Sequence, residues 1–105
     1  MRGVTYEVML TNRAKAEIEH IRGYISKEFS EYNAEKVVNR IYRTIYSVRI
    51  FPERKQVAVR KSRPIWMIHS GHYNMLYLIN KKIHVATIIH VLHAKQDYTR
   101  FLNLG

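Results

Sequence analysis

Apolar and polar residues change their spacing twice along this chain. Val4, Tyr6, Val8 and Leu10 alternate with Thr5, Glu7 and Met9, the period of a half-buried strand. Thr11-Asn12 offers N-cap side chains. Ala14, Ile18, Ile21, Ile25 and Phe29 then recur at steps of four, three, four and four, which places them on one helical face. Ser30 breaks this helix and can cap a second one, whose stripe is Ala34, Val37, Val38, Ile41, Ile45 and Val48. Pro52 disfavours helical geometry at Phe51, so the second helix should stop near there. With so short a link, the two amphipathic helices should pack as an antiparallel hairpin.

Beyond Pro52 the period becomes strand-like. Val57 and Val59 alternate with Ala58 and Arg60, and Pro64 to His69 is a short apolar segment before the turn signal Ser70-Gly71. His72 to Ile79 and Ile83 to Leu92 are β-rich runs flanking Asn80-Lys81-Lys82, which reads as a hairpin loop. The second run is apolar on both faces, as in a central strand. Ala94 to Leu102 fits a final short helix docked by Tyr98, Phe101 and Leu102. The expected architecture is α+β: an N-terminal strand, an antiparallel two-helix hairpin, then a mainly antiparallel curved sheet, in the order β-α-α-β-β-β with a short C-terminal helix. A chain of 105 residues makes one domain, residues 1–105, with a single core.

Composition narrows the class. The chain has no cysteine, which excludes disulfides and thiolate metal sites. The stretch Met1 to Glu7 lacks the apolar run of a signal peptide and no segment approaches a membrane span. The expectation is a cytoplasmic protein without a membrane partner. The formal charge is +10, and it is unevenly placed: residues 1–53 carry nine Lys/Arg against seven Asp/Glu, residues 54–105 nine against Asp97 alone. Five of the six histidines share that second half. Such a field attracts nucleic acid or an acidic protein.

Four segments carry a further signal. Leu10-Thr11-Asn12-Arg13-Ala14 with Ile18, Ile21 and Tyr24-Ile25, then Phe51-Pro52-Glu53-Arg54, then Tyr73-Asn74-Met75-Leu76-Tyr77, then Ile89-His90-Val91-Leu92-His93-Ala94-Lys95-Gln96-Asp97 occur in this order. Together they resemble the RelE/ParE family, toxins of bacterial type II toxin–antitoxin systems, over nearly the whole chain. The resemblance implies a growth-inhibitory toxin neutralised by a cognate acidic antitoxin, with no cofactor. For its target it implies DNA gyrase in the ParE branch, or mRNA on the ribosome in the RelE branch, which is a metal-independent endoribonuclease (mRNA interferase). Asn74 stands where many relatives carry arginine, and Lys95-Gln96 replaces the more usual arginine pair. These departures, with the clear helical hairpin and the Leu-His…Asp ending, lean towards ParE.

The candidate site residues follow. Arg54, Lys55, Arg60, Lys61 and Arg63 are the densest basic cluster, suited to phosphates or to an acidic groove on gyrase. Lys95 and Asp97 in the family's terminal motif, with Tyr98 just after it, join them as target-binding candidates. RNA cleavage needs a base for the 2′-hydroxyl, an acid for the leaving oxygen and a cation for the phosphorane. His93 and His69 are the candidate base and acid, with Arg63 or Arg60 as the cation; the bland alternative has His93 fixing the C-terminal turn by hydrogen bonds. A metal site is not expected. His84 and His90 share a strand face, but six residues put them roughly 20 Å apart, whereas ligands must converge within about 2.1 Å of one ion. Tyr42 and Tyr46, Tyr73 and Tyr77, and Trp66 read as core or groove lining.

Overall fold

A computed structural model describes residues 3–102; Met1 and Arg2 of the N-terminal stretch and residues 103–105 of the expected domain lie outside that range. The chain runs β1 (Glu7–Leu10), α1 (Asn12–Glu28), α2 (Glu31–Ser47), β2 (Lys55–Arg60), β3 (Arg63–Ser70), β4 (Tyr73–Asn80) and β5 (Val85–His93), then a 3-10 turn at Tyr98–Phe101. The strands form one sheet ordered β1-β5-β4-β3-β2. β1 is parallel to β5, and the other pairs are antiparallel. This is the α+β arrangement expected, with strand, helical hairpin and sheet in that order.

Local chemistry explains the helices. Thr11 Oγ1 accepts the Ala14 N–H at 3.0 Å and Ser30 Oγ accepts the Asn33 N–H at 3.0 Å, so each helix begins on a hydroxyl cap. Arg22 pairs with Glu19 on its own helix at 3.1 Å and with Glu35 on α2, pinning the hairpin. Ala14, Ile18, Ile21 and Ile25 from α1 and Ala34, Val38, Ile41 and Ile45 from α2 are buried against Ile68, Met75, Tyr77, Ala86, Ile88 and Val91 of the sheet. Each fully buried large aliphatic side chain contributes about 1.5–3 kcal/mol. Regular α2 ends at Ser47, but hydrogen-bonded turns continue to Phe51, whose N–H reaches Ser47 O at 3.3 Å. The chain therefore stops being helical where Pro52 dictates. Tyr77, wholly buried, donates its hydroxyl to Pro52 O at 2.6 Å, and burial pushes its phenol up to about 12.

Several expectations need correction. Among the described residues four strands follow the hairpin, not three, because Val57 and Val59 belong to a full strand paired with β3. The first strand starts at Glu7 rather than Val4: its partner β5 begins only at Val85, so residues before Glu7 have no ladder to join. Ile83 and His84 fall in the turn before β5, His84 with φ +55°, so His84 shares no strand face with His90. The closing helix over Ala94–Leu102 is reduced to a 3-10 turn. A hydrogen-bonded turn from His93 O to Gln96 N–H (2.9 Å) precedes it, and Asp97 recaps the chain by accepting the Thr99 N–H at 3.1 Å. Phe29 continues the apolar stripe in sequence but is 69% exposed. It lies one residue past α1, with φ −129° and ψ −81°, and so leaves the helical face.

The sheet separates two apolar clusters. The helices cover one face; on the other, Ile65, Met67, Leu76 and Leu92 are buried with Tyr98, Phe101 and Leu102 packed over them. In β5, Leu76 pairs with His90 and Tyr77 with Ile88, leaving Ile89 as an extra residue. That bulge re-aims the strand beyond it, and puts His90 on the outer face against Phe101, with ring centroids 4.9 Å apart.

Candidate functional site

A concavity of about 970 Å³ opens where β1 stops covering β5. β1 pairs only as far as Leu10 with Ile88, and the Thr11 N–H closes onto Ile88 O at 3.0 Å. From there the edge of β5 runs free of any strand, and side chains take over. Glu17 Oε1 accepts the Val91 N–H at 2.7 Å and its Oε2 lies 3.1 Å from His90 Nδ1. Gln96 Oε1 accepts the His93 N–H at 2.9 Å. These bonds satisfy an edge that would otherwise present bare backbone donors.

The groove beside this edge has apolar walls from α1, α2 and the C-terminal segment, among them Ile21, Tyr24, Phe29, Val37 and Phe101. Around them stand His20, Lys36, Arg40, His72, His93 and Lys95. The His72 and His93 rings are near parallel, 5° apart, with centroids at 6.1 Å, and Tyr73 meets His93 edge-on at 5.4 Å. The Lys95 N–H donates to His93 Nδ1 at 3.0 Å. A backbone N–H can only donate, so that ring nitrogen is unprotonated and the ring proton sits on Nε2. Burial, followed by the proximity of Tyr24, pushes the Tyr73 phenol up from its ordinary value, so Tyr73 is a donor at neutral pH. Glu17 is the acidic lining residue, and both of its oxygens are already engaged.

A second positive region is the β2–β3 hairpin tip. Arg60 pairs with Arg63 across the strands, and Lys61 and Ser62 make the turn with φ +50° and +65°. Two-residue hairpin turns of the mirror-image type require this left-handed backbone, although glycine or asparagine normally supplies it. Arg60, Lys61 and Arg63 ring a shallow depression of about 250 Å³ floored by Ile65 and Leu78. Lys55 starts β2 at the other end of the same edge strand. Arg54, counted in this cluster from sequence, is instead engaged locally: its guanidinium donates to Phe51 O at 2.6 Å, Ser47 O at 3.2 Å and Ser47 Oγ at 3.0 Å. It caps the end of α2.

The candidate catalytic residues do not converge. His69 is in register with Asn74 and His93 with Tyr73. Asn74 and Tyr73 are successive strand residues, so the two histidines project from opposite faces of the sheet. Arg63 shares the outer face with His69, but six residues along the strand put them roughly 20 Å apart. His69 Nδ1 lies 2.8 Å from Asn74 Oδ1, the residue at the position where many relatives carry arginine. Between the hairpin tip and His69 the outer face is apolar and covered by Tyr98, Phe101 and Leu102. Tyr98 is thus a packing residue. Asp97 binds the Thr99 N–H and hydroxyl, which holds its carboxyl below the usual value. Lys95 lines the groove. Among the described residues no group of three or more His, Cys, Asp or Glu comes together as a metal site, and no helix is long and apolar enough to cross a membrane.

Sequence reasoning found His93 and Lys95 but missed His20, Lys36, Arg40, Tyr24 and Phe29 as one surface with them.

The profile described as the ParE toxin of type II toxin–antitoxin systems, parDE, matches residues 8–98. In fold, the chain is similar to a chain of the chromosomal ParDE toxin–antitoxin system from P. aeruginosa, with TM-score 0.71 and 10% identity over 87% of this chain and 98% of that one. It is also similar to a chain of the RelBE2 toxin–antitoxin complex from Mycobacterium tuberculosis, with TM-score 0.64 and 17% identity over 90% and 98%. Among curated protein sequences no relative matches.

Proposed function

The chain belongs to the ParE toxin family of type II toxin–antitoxin systems, and on that premise we propose that it acts as a protein-binding poison of DNA gyrase, silenced by a cognate acidic antitoxin. One observation carries the choice of mechanism. An RNA-cleaving site needs acid, base and cation around one phosphate, whereas here His69 and His93 are on opposite sides of the sheet and the outer face between the charged ends is apolar. The Nδ1 lone pair of His93 is also engaged, by the Lys95 N–H.

The hairpin tip suits the target. Arg60, Lys61 and Arg63 project at one end of the sheet on a short, sterically constrained turn, and a rigid cluster of cations accelerates and orients association with an acidic surface. The groove beside β5 suits the antitoxin, being apolar within and positive at its margin. Induction in growing cells tests both halves. Plasmid supercoiling should fall before bulk translation does, and co-expression of the antitoxin encoded beside the toxin gene should restore growth and yield a stable complex. Early translation arrest with supercoiling intact favours the RelE-like reading, and a neighbouring product that neither rescues nor co-purifies contradicts the pairing.

A further inference from the structure

The basic side chains and imidazoles at the β5 end of the groove come from separate elements and have no acidic partner there among the described residues. Arg40 stands on α2, His72 in the β3–β4 turn, His93 at the end of β5 and Lys95 just beyond it. Arg40 Nη1 lies over the turn, 3.6 Å from where a Cβ on Gly71 would be. Gly71 has φ +57°, so a larger residue there would be strained as well as crowding the guanidinium. His72 stacks on His93, and the Lys95 backbone fixes the His93 ring with Nε2–H as its remaining donor. Among the described residues neither Arg40 nor Lys95 forms an ion pair. Glu17 is fully occupied with His90 and the β5 edge.

We infer that Arg40, His72, His93 and Lys95 form a carboxylate-binding subsite, and that it receives an acidic side chain from a helical segment of the antitoxin. The inference rests on the toxin–antitoxin reading above and adds the chemistry and conformation of the segment.

Three observations determine the occupant. A carboxylate complements this end of the groove, because guanidinium and ammonium only donate and the His93 ring has Nε2–H as its remaining donor. The walls beside the subsite are apolar and aromatic, with Tyr24 and Phe29 58% and 69% exposed; these rings would be covered by the apolar stripe of a peptide, not by a sugar–phosphate backbone. The conformation follows from the β5 edge. An added strand must hydrogen-bond to the Val91 and His93 N–H groups, and both are already taken by Glu17 and Gln96. A helix satisfies its own backbone and needs neither.

The test uses the full toxin in complex with the full antitoxin encoded beside it. Arg40→Gln and His93→Gln are measured for affinity and melting temperature, then combined with single Glu→Gln or Asp→Asn changes along the acidic half of the antitoxin. Each toxin variant should weaken the complex about 5–10-fold with its melting temperature unchanged. One antitoxin carboxylate should be coupled, so that its loss costs little more once Arg40 is gone. Arg40→Lys, which retains charge without the fork, should fall between wild type and Arg40→Gln. A complex indifferent to every one of these changes overturns the subsite while leaving the toxin–antitoxin reading intact. No complex with the wild-type toxin overturns both. An antitoxin that joins β5 as a strand in the structure of the complex, or a DNA oligonucleotide that displaces it from the groove, also contradicts the inference.

Discussion

Two regions of this molecule present positive charge, and they are built in opposite ways. At the hairpin tip, Arg60, Lys61 and Arg63 are neighbours in sequence and need only one tight turn to converge. At the groove, Lys36, Arg40 and Lys95 come from α2 and the segment after β5, among the imidazoles of His20, His72 and His93. The tip is charge on a small apolar floor; the groove is a large apolar channel with charge at its margin. A compact charged knob suits rapid encounter with an acidic macromolecule. A long apolar channel suits a partner that stays bound, because burial of apolar surface, rather than rim charge, holds complexes together. On this difference rests our proposal that the tip meets the target and the groove the antitoxin.

The strongest way to break that assignment is charge reversal at the tip. The triple variant Arg60→Glu, Lys61→Glu and Arg63→Glu should lose toxicity almost completely, by about 10²-fold or more in the dose needed, while circular dichroism and antitoxin binding stay near wild type. A folded triple variant that still kills removes the tip from the mechanism.

Next in size is a change at the groove wall. Glu17→Ala leaves the Val91 N–H and the 4% exposed His90 without their acceptor, and an unsatisfied buried group costs about 1–3 kcal/mol. The melting temperature should fall, and amide exchange at Val91 should rise more than at Ile88, which β1 still covers. Equal exchange at both positions contradicts the role given to Glu17.

A smaller effect, of opposite sign, is expected at the tip. Ser62 holds φ +65° without being glycine, and left-handed geometry costs a non-glycine residue roughly 1–2 kcal/mol. Ser62→Gly should therefore stabilise the fold by about 1 kcal/mol in denaturant unfolding, with the charge of the tip unchanged. A destabilised Ser62→Gly means the turn is not strained.

The smallest effect concerns Asp97. Hydrogen bonds from Thr99 lower its carboxyl below the ordinary value. Its contribution is therefore present above the ordinary carboxylate range and lost as pH falls through the lowered value. Asp97→Asn should flatten that acid limb slightly in a melting series. An unchanged limb means the cap contributes nothing.

The same contrast explains what the sequence made legible. Periodicity located the helical hairpin and the strand-rich half, because burial on one face is a local pattern: Ile18, Ile21 and Ile25 declare their face by spacing alone. Strand ends were less visible. Val4 alternates as well as Val8, yet only Val8 finds a partner strand, in β5, and pairing is a tertiary fact. The Arg60–Arg63 tip was legible because its residues are contiguous. The groove was not, since Arg40 and His93 share no local pattern and meet only when α2 packs beside the sheet. The separation of His93 from His69, read as base and acid, was hidden for a related reason. Opposite projection follows from the registers His69 with Asn74 and His93 with Tyr73, and no single strand contains both. Arg54, read from sequence as a target contact, also closes the end of α2, a role that its spacing did not reveal.

The central claim is that the chain works by holding a protein rather than by cutting RNA. Its most direct test puts purified wild type and His93→Gln side by side in two assays, DNA gyrase supercoiling and cleavage of mRNA on programmed ribosomes. Wild type should inhibit supercoiling and leave the mRNA whole. His93→Gln should inhibit nearly as well, since Gln can retain much of the hydrogen bonding of the turn. Specific mRNA cuts by wild type that vanish in His93→Gln, with gyrase unaffected, would contradict the account.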